Sequence, residues 1–242
     1  MDIEGSRVLN LAPLFFDLDH TLWDFESNSR LALRQGHETL KLAQFGVESV
    51  EDWIGTYEKI NAWCWAQFRK GLMDKSTLRS ERFALSLADF GVKDSDLADQ
   101  LGAHYIETSP YQTALIEGTM EVLEELLKRG HAMWLLTNGF EEVQHLKVEH
   151  SGLTRFFRGV YTSDALGVKK PDPLAFERAA ALANVRMDCG VIMIGDSWES
   201  DVEGAQNVGW RGVHFNPQGE LKDKAWKTIH ALPQLLDLPL VV

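Results

Sequence analysis

The chain has 242 residues, 45% hydrophobic and 25% charged, enough to bury a full core in one large domain or two modest ones. Its 36 Asp and Glu against 24 Lys and Arg give a formal net charge of -12, a poor match for nucleic-acid phosphates or an anionic membrane. The two cysteines, Cys64 and Cys189, are widely separated, which argues against a disulfide framework and against a thiolate zinc site.

Residues 1–12 carry little pattern and are expected to be a flexible lead-in. They contain no cationic stretch followed by an apolar one, and no apolar run in the chain approaches the ~20 residues of a membrane span. A cytoplasmic protein is therefore expected. The first readable stretch is Leu14 to Phe16, a short apolar run that leads into Asp17-Leu-Asp19 and then Thr21. Such a run predicts a buried strand, and two acids at its end are costly near a core unless something cationic or reactive uses them.

From about 27 to 108 the pattern is helical. Ser27 or Asn28 is positioned to cap a first helix and Gly46 to close it. Trp53, Tyr57, Ile60, Cys64 and Phe68 step by three or four and define one face of a second, ending at Gly71. A third is predicted from Ser76 to Gly91, with Phe83, Leu87 and Phe90 on one side. A fourth runs from Ser95 to Thr108, where Pro110 prevents continuation. From Gly118 helix and strand alternate. Thr119 opens a helix to Lys128, and an apolar run spans Ala132 to Leu136. A polar helix covers 141–150, a strand Gly159 to Thr162, and Asp172-Pro173 opens another helix. A strand over Val191 to Ile194, a helix over about 200–208, a strand Val213 to Phe215 and a C-terminal helix complete the pattern. This alternation predicts an α/β fold, a doubly wound parallel sheet with a helical insertion after the first strand. The boundaries expected are 1–22 and 112–242 for the sheet domain and 23–111 for the insertion.

Three apolar runs end in polar residues that a parallel sheet would bring to one edge: Asp17-Leu-Asp19, Thr137-Asn138-Gly139, and Gly195-Asp196-Ser197 with Asp201 beyond. Lys169-Lys170-Pro171 adds cations, with Lys170 held on restricted backbone before proline. Lys169 reads as part of a solvated turn. Carboxylates, a hydroxyl and a lysine together suit a hard divalent cation and a phosphate ester. An Asp can attack phosphorus, and a second carboxyl can carry the proton.

These segments resemble, in order and over roughly 13–215, the signatures of the haloacid dehalogenase-like (HAD) superfamily of phosphohydrolases. They are Asp17-x-Asp19-x-Thr21, Thr137, Lys170 before proline, and Gly195-Asp196 followed by Asp201. The resemblance implies a HAD core carrying a helical cap. It implies Asp17 as nucleophile, Asp19 as general acid/base, and Thr137, Lys170 and the Asn138 backbone on the phosphoryl group. It further implies Mg²⁺ held by Asp17, Asp196 and the backbone carbonyl of Asp19, and Asp201 orienting Lys170 or a metal-bound water. Asp19 speaks against the dehalogenase branch. Thr137 to Phe140 and the segment 195–201 are most similar to bacterial pyrimidine 5′-nucleotidases, so the expected partner is a small phosphate ester, specifically a nucleoside 5′-monophosphate.

Trp23 fits a bulky flat substrate. Trp63, off the helical stripe, and Arg82 are further candidates for substrate choice, each set against a blander reading: a Trp packed on a neighbouring helix, and a solvated basic face shared with Arg79. The rival function is a sugar-phosphate or phosphoglycolate phosphatase. A phosphomutase is disfavoured, since no added residue would shield the intermediate from water. A phospho-accepting regulatory module uses similar residues but needs neither Asp19 nor a cap.

Overall fold

A parallel sheet of six strands is built from β1 (Leu14–Phe16), β2 (Met133–Thr137), β3 (Val160–Thr162), β4 (Ile192–Gly195), β5 (Arg211–Phe215) and β6 (Lys227–Ile229), in the order β3-β2-β1-β4-β5-β6. The computed structural model describes residues 11–219 and 224–242. β1 pairs with β2 on one side and β4 on the other, Leu14 standing opposite both Met133 and Ile192. Because the order runs outward from β1 in both directions, the crevice at its carboxyl end is the switch point of the doubly wound sheet, where ligands collect in this architecture. All three residues of β1 are fully buried, as a strand covered on both faces requires.

One side of the sheet packs on aromatic rings. Phe15 stacks on Trp134 at 5.2 Å between centroids and meets Trp210 at 4.8 Å, with Phe176, Ala179 and Met193 in the same cluster. Each of the large side chains in it contributes about 1.5–3 kcal/mol by its burial. The helices that follow the strands are α5 (Thr119–Arg129), α6 (Glu141–His150), α7 (Ser163–Leu166), α8 (Pro173–Ala183) and α9 (Gly204–Asn207). Asp172 caps α8, its carboxylate accepting from the Leu174 N–H at 2.9 Å. Thr119 does not cap α5. Gly118 holds that position at φ 85°, while the Thr119 hydroxyl donates to the Leu22 carbonyl at 3.1 Å.

The chain divides into two compact units, Phe25–Ala114 and the segments on either side of it. The inserted unit contains α1 (Phe25–Thr39), α2 (Val50–Arg69), α3 (Lys75–Ala88) and α4 (Ser95–Thr108). Ser49, Asp74 and Asp94 cap the last three by accepting from the N–H groups of Asp52, Thr77 and Leu97, each cap contributing about 1 kcal/mol. Its core holds Trp53, Tyr57, Phe83 and Tyr105, with Tyr57 and Phe83 centroids 5.0 Å apart.

Several expectations are corrected. Asn28 is not a cap. Its amide is buried and exchanges two hydrogen bonds with the Ala114 backbone, at 2.8 and 2.9 Å, which closes the inserted unit at its two ends. The first helix stops at Thr39, and a 3₁₀ turn over Leu42–Phe45 carries the chain to Gly46. Ile60 is only half-buried, while Ile54 and Asn61 join the inward face of α2. The segment after Ile194 opens with a π-helical turn, Trp198–Glu203, before α9. In place of a C-terminal helix stand β6 and a 3₁₀ turn over Leu232–Asp237, since Pro233 and Pro239 leave too few residues between them for a stable helix. The lead-in up to Asn10 lies outside the described residues, but Leu11 and Ala12 are pinned to Val241 and Leu240.

Candidate active site

Lys170 is the hub. It is 2% exposed, and its ammonium donates to Asp17 Oδ1 at 2.8 Å, Asp201 Oδ1 at 2.5 Å and the Leu136 carbonyl at 2.6 Å. A primary ammonium has three N–H bonds, so each has an acceptor. Asn138 fixes the backbone behind it, accepting from the Lys170 N–H at 2.8 Å and donating to the Lys170 carbonyl at 2.9 Å. The loop after β2 thereby aims a residue that lies after β3.

Asp17 follows β1 directly, its N–H donating to the Ile194 carbonyl at 2.8 Å. A tight turn comes next, in which the Leu18 carbonyl accepts from the N–H groups of Thr21, Leu22 and Trp23. The turn requires a left-handed backbone at His20, φ 61°. It brings the Thr21 hydroxyl to Asp196, donating to Oδ1 at 3.2 Å and accepting from the N–H at 3.0 Å. Asp201 arrives from the π-helical turn, a feature often found at functional positions. Its second oxygen accepts from the Ser197 N–H at 3.0 Å.

The site is short of positive charge. Asp17, Asp196 and Asp201 each place an oxygen within 4.8 Å of the others, and among the described residues Lys170 is the one ammonium paired with this cluster. Burial pushes the Asp17 carboxyl from an ordinary 3.8 to about 7, against the pull of Lys170 and with a push from Asp201. Burial, then Asp17, raises Asp196 to about 6, and burial raises Asp201 too. Burial works against the charge on Lys170, yet Asp17 and Asp201 together hold its ammonium above the usual range. Three carboxylates against one ammonium leave two negative charges, which one divalent cation would balance. Oxygen donors are the set a hard cation takes. Both Asp201 oxygens are already engaged, so Asp17 and Asp196 are the side chains available to hold it.

The same shifts set a pH dependence. Between about pH 4 and pH 7 the folded, metal-free protein keeps a proton on Asp17 that the unfolded chain has lost, so stability falls as pH rises through that window. In EDTA the melting temperature is expected to drop from pH 5 to pH 8, and a divalent cation to restore more of it at pH 8 than at pH 5. A cation effect equal at both values would count against the charge deficit.

Gly195 makes the site possible. A Cβ there would sit 2.2 Å from Asp201 Oδ2, so only glycine lets that carboxylate lie against the end of β4. Gly195→Ala is expected to displace Asp201 from Lys170, lowering stability by about 1–3 kcal/mol. Turnover should fall with it, as chemical denaturation and rate assays on the same preparation would read.

Two contributors went unread in the sequence. Gln144 and Lys147 of α6 are both buried. Lys147 donates to Asp19 Oδ1 at 2.6 Å, while Gln144 donates to Asp19 Oδ2 at 2.9 Å and to Thr137 Oγ1 at 2.7 Å. Nothing local marks them. Gln144, Lys147 and Val148 share the inward face of the helix, but two of the three are polar, so no apolar stripe identifies that face as buried. Trp23 is fully buried, with the Lys147 ammonium 4.1 Å from its ring centroid, so a cation covers one face of the ring expected to meet a bulky flat substrate.

Within the inserted unit, Trp63 is 52% exposed and not packed away. Arg82 does not lie on a solvated face. It is buried, donates to Asn61 Oδ1 at 3.2 Å, and its guanidinium lies 5.0 Å from the Tyr105 ring centroid and 5.2 Å from that of Phe83. Long basic side chains often bury their stems, and this one buries its head as well. No helix among the described residues is long and apolar enough to cross a membrane.

Comparison with known proteins follows the same lines. Pyrimidine 5′-nucleotidase PynA of Streptococcus pneumoniae is 30% identical over 205 residues, 84% of this chain and 83% of that protein. Pyrimidine 5′-nucleotidase YjjG of Escherichia coli is 28% identical over 92% of this chain and 96% of its own. The HAD-hydrolase YfnB of Bacillus subtilis, solved with magnesium bound, superposes with a TM-score of 0.82 at 25% identity, covering 94% of this chain and 98% of its own. Residues 14–209 match the family model of the haloacid dehalogenase-like hydrolases. With its sheet order, its switch-point carboxylates and that match, the chain belongs to the haloacid dehalogenase-like hydrolase family.

Proposed function

We propose that the protein is a Mg²⁺-dependent phosphomonoesterase working through an aspartyl-phosphate on Asp17, with nucleoside 5′-monophosphates as substrates. The observation that carries the reading is the pair of carboxylates at the end of β1 in opposite settings. Asp17 is buried against Lys170 inside the acidic cluster, while Asp19 lies outside that cluster and within reach of Lys147 and Gln144. Two acids in unlike surroundings suit unlike jobs.

In this reading Asp17 attacks phosphorus and displaces the alcohol. Asp19 gives its proton to the leaving oxygen, then takes one from the water that opens the aspartyl-phosphate. Thr137 and the Asn138 backbone N–H bind the phosphoryl oxygens. Lys170 holds Asp17 in line and neutralises charge. Asp17, Asp196 and the backbone carbonyl of Asp19 would hold Mg²⁺, which when bound supplies positive charge to the phosphoryl oxygens. The helical unit Phe25–Ala114 would act as a cap that selects the leaving alcohol.

Support for the nucleotide assignment comes from PynA and YjjG, both named as pyrimidine 5′-nucleotidases. A phosphate-release screen with Mg²⁺ over nucleoside monophosphates, sugar phosphates and phosphoglycolate is the direct test. The highest kcat/KM is expected on a nucleoside 5′-monophosphate. A sugar phosphate in first place would retain the chemistry and overturn the substrate, and no release from any ester would overturn both.

A further inference from the structure

We propose that Lys147 and Gln144 are positioning residues that tie the proton-transfer carboxylate to the phosphoryl-binding hydroxyl, a role that rests on the functions given above to Asp19 and Thr137. The geometry is specific. Both Asp19 oxygens face donors from one helix, Lys147 Nζ at 2.6 Å on Oδ1 and Gln144 Nε2 at 2.9 Å on Oδ2. Gln144 has no exposed surface, and its amide also donates to Thr137 Oγ1 at 2.7 Å. That hydroxyl accepts a second bond, from the Gly139 N–H at 3.1 Å.

A threonine hydroxyl has two lone pairs and one hydrogen. With both lone pairs occupied, its hydrogen is left to donate, which is the role a phosphoryl-binding hydroxyl must play. Gln144 thus sets the polarity of Thr137 and the position of Asp19 with one amide group. Lys147 holds the other side of Asp19, and its own ammonium rests on the Trp23 ring, in the turn that carries Asp19. Gly139 is shaped around this bridge. A Cβ there would fall 2.1 Å from Gln144 Nε2, so the residue between hydroxyl and amide has no room for a side chain.

The two residues should leave different kinetic marks. A series of substituted phenyl phosphates, from p-nitrophenol to unsubstituted phenol as leaving group, keeps substrate shape nearly constant while changing the need for a proton. In Lys147→Met, kcat/KM is expected to fall about 10- to 100-fold on phenyl phosphate and less than about threefold on p-nitrophenyl phosphate, because a misplaced acid matters in proportion to how badly the leaving group needs it. Gln144→Met should show that steepening and, in addition, raise KM across the whole series, through Thr137. Asp19→Asn is the reference for complete loss of the acid. If Lys147→Met does not fold, Lys147→Gln carries the same comparison, and melting curves of each variant accompany the rates.

A loss equal across the series, or no loss, in a folded Lys147 variant would overturn the positioning role while Asp19→Asn still steepened the dependence. Should Asp19→Asn itself fail to steepen it, the acid/base assignment falls and this inference with it. Wild-type protein that turned over no ester would overturn the phosphomonoesterase reading as a whole.

Discussion

Asp17→Asn is expected to lower turnover by at least about 10³-fold while leaving the protein at least as stable as wild type. The two halves of that result have one cause. Asp17 is buried with two other carboxylates and one ammonium, and burial holds its carboxyl near pH 7. Above that pH the ionised group costs the fold stability, because it was better solvated in the unfolded chain. Asparagine keeps the size, can still accept from Lys170, and removes the charge. In metal-free buffer at pH 8 its melting temperature should equal or exceed that of wild type. A group kept at a cost to stability and needed for rate is the signature of a functional residue. Near-normal turnover in Asp17→Asn would overturn the proposed assignment of Asp17 as nucleophile. A large fall in melting temperature would instead make Asp17 a structural partner of Lys170.

Much of this site was legible because carboxylates at the ends of apolar runs have few bland explanations. Leu14 to Phe16 ending in Asp17, and Ile192 to Ile194 ending in Gly195-Asp196, are short strands that could only be buried, and adjacent parallel strands bring their ends together. Lys170 was legible once those acids needed a cation. Lys147 was not, because a lysine on a short polar helix is ordinarily solvated, and the partner that makes its burial tolerable lies 128 positions away. Arg82 escaped for a related reason. An arginine can sit among aromatic rings, but nothing local in its helix announces Tyr57 and Tyr105 as neighbours. The C-terminal segment misled in the opposite direction. Its leucines suggest a helical face, whereas Pro233 and Pro239 and the pairing of Lys227–Ile229 with β5 decide the backbone. Local pattern thus identified the apolar strands and the acids at their ends, and missed Lys147, Arg82 and β6, whose settings are decided by residues outside their own segments.

Lys170→Met should cost more stability than any other single change at the site, about 3–5 kcal/mol, because it removes one side of a buried ion pair. The methionine fills much of the space but offers no hydrogen, so Asp17, Asp201 and the Leu136 carbonyl lose a shared donor at once. Turnover should fall by about 10²–10³-fold or more, as when a charge-stabilising donor is removed. The loss carries a distinguishing pH dependence. Without Lys170 the carboxylates at 17 and 201 lose their nearest positive charge and are harder still to ionise, so acid relieves the defect by protonating them. The stability gap to wild type is therefore expected to narrow from pH 8 to pH 5, and a gap constant with pH would mean that packing, not charge, was lost. Lys169→Met is the comparison, since Lys169 is only partly buried where Lys170 is fully so. Its effect should stay within about 1 kcal/mol. Two adjacent lysines, indistinguishable as a dipeptide, would then differ by most of the stability of the site, which locates the specificity of this motif in what β1 and the π-helical turn bring to Lys170.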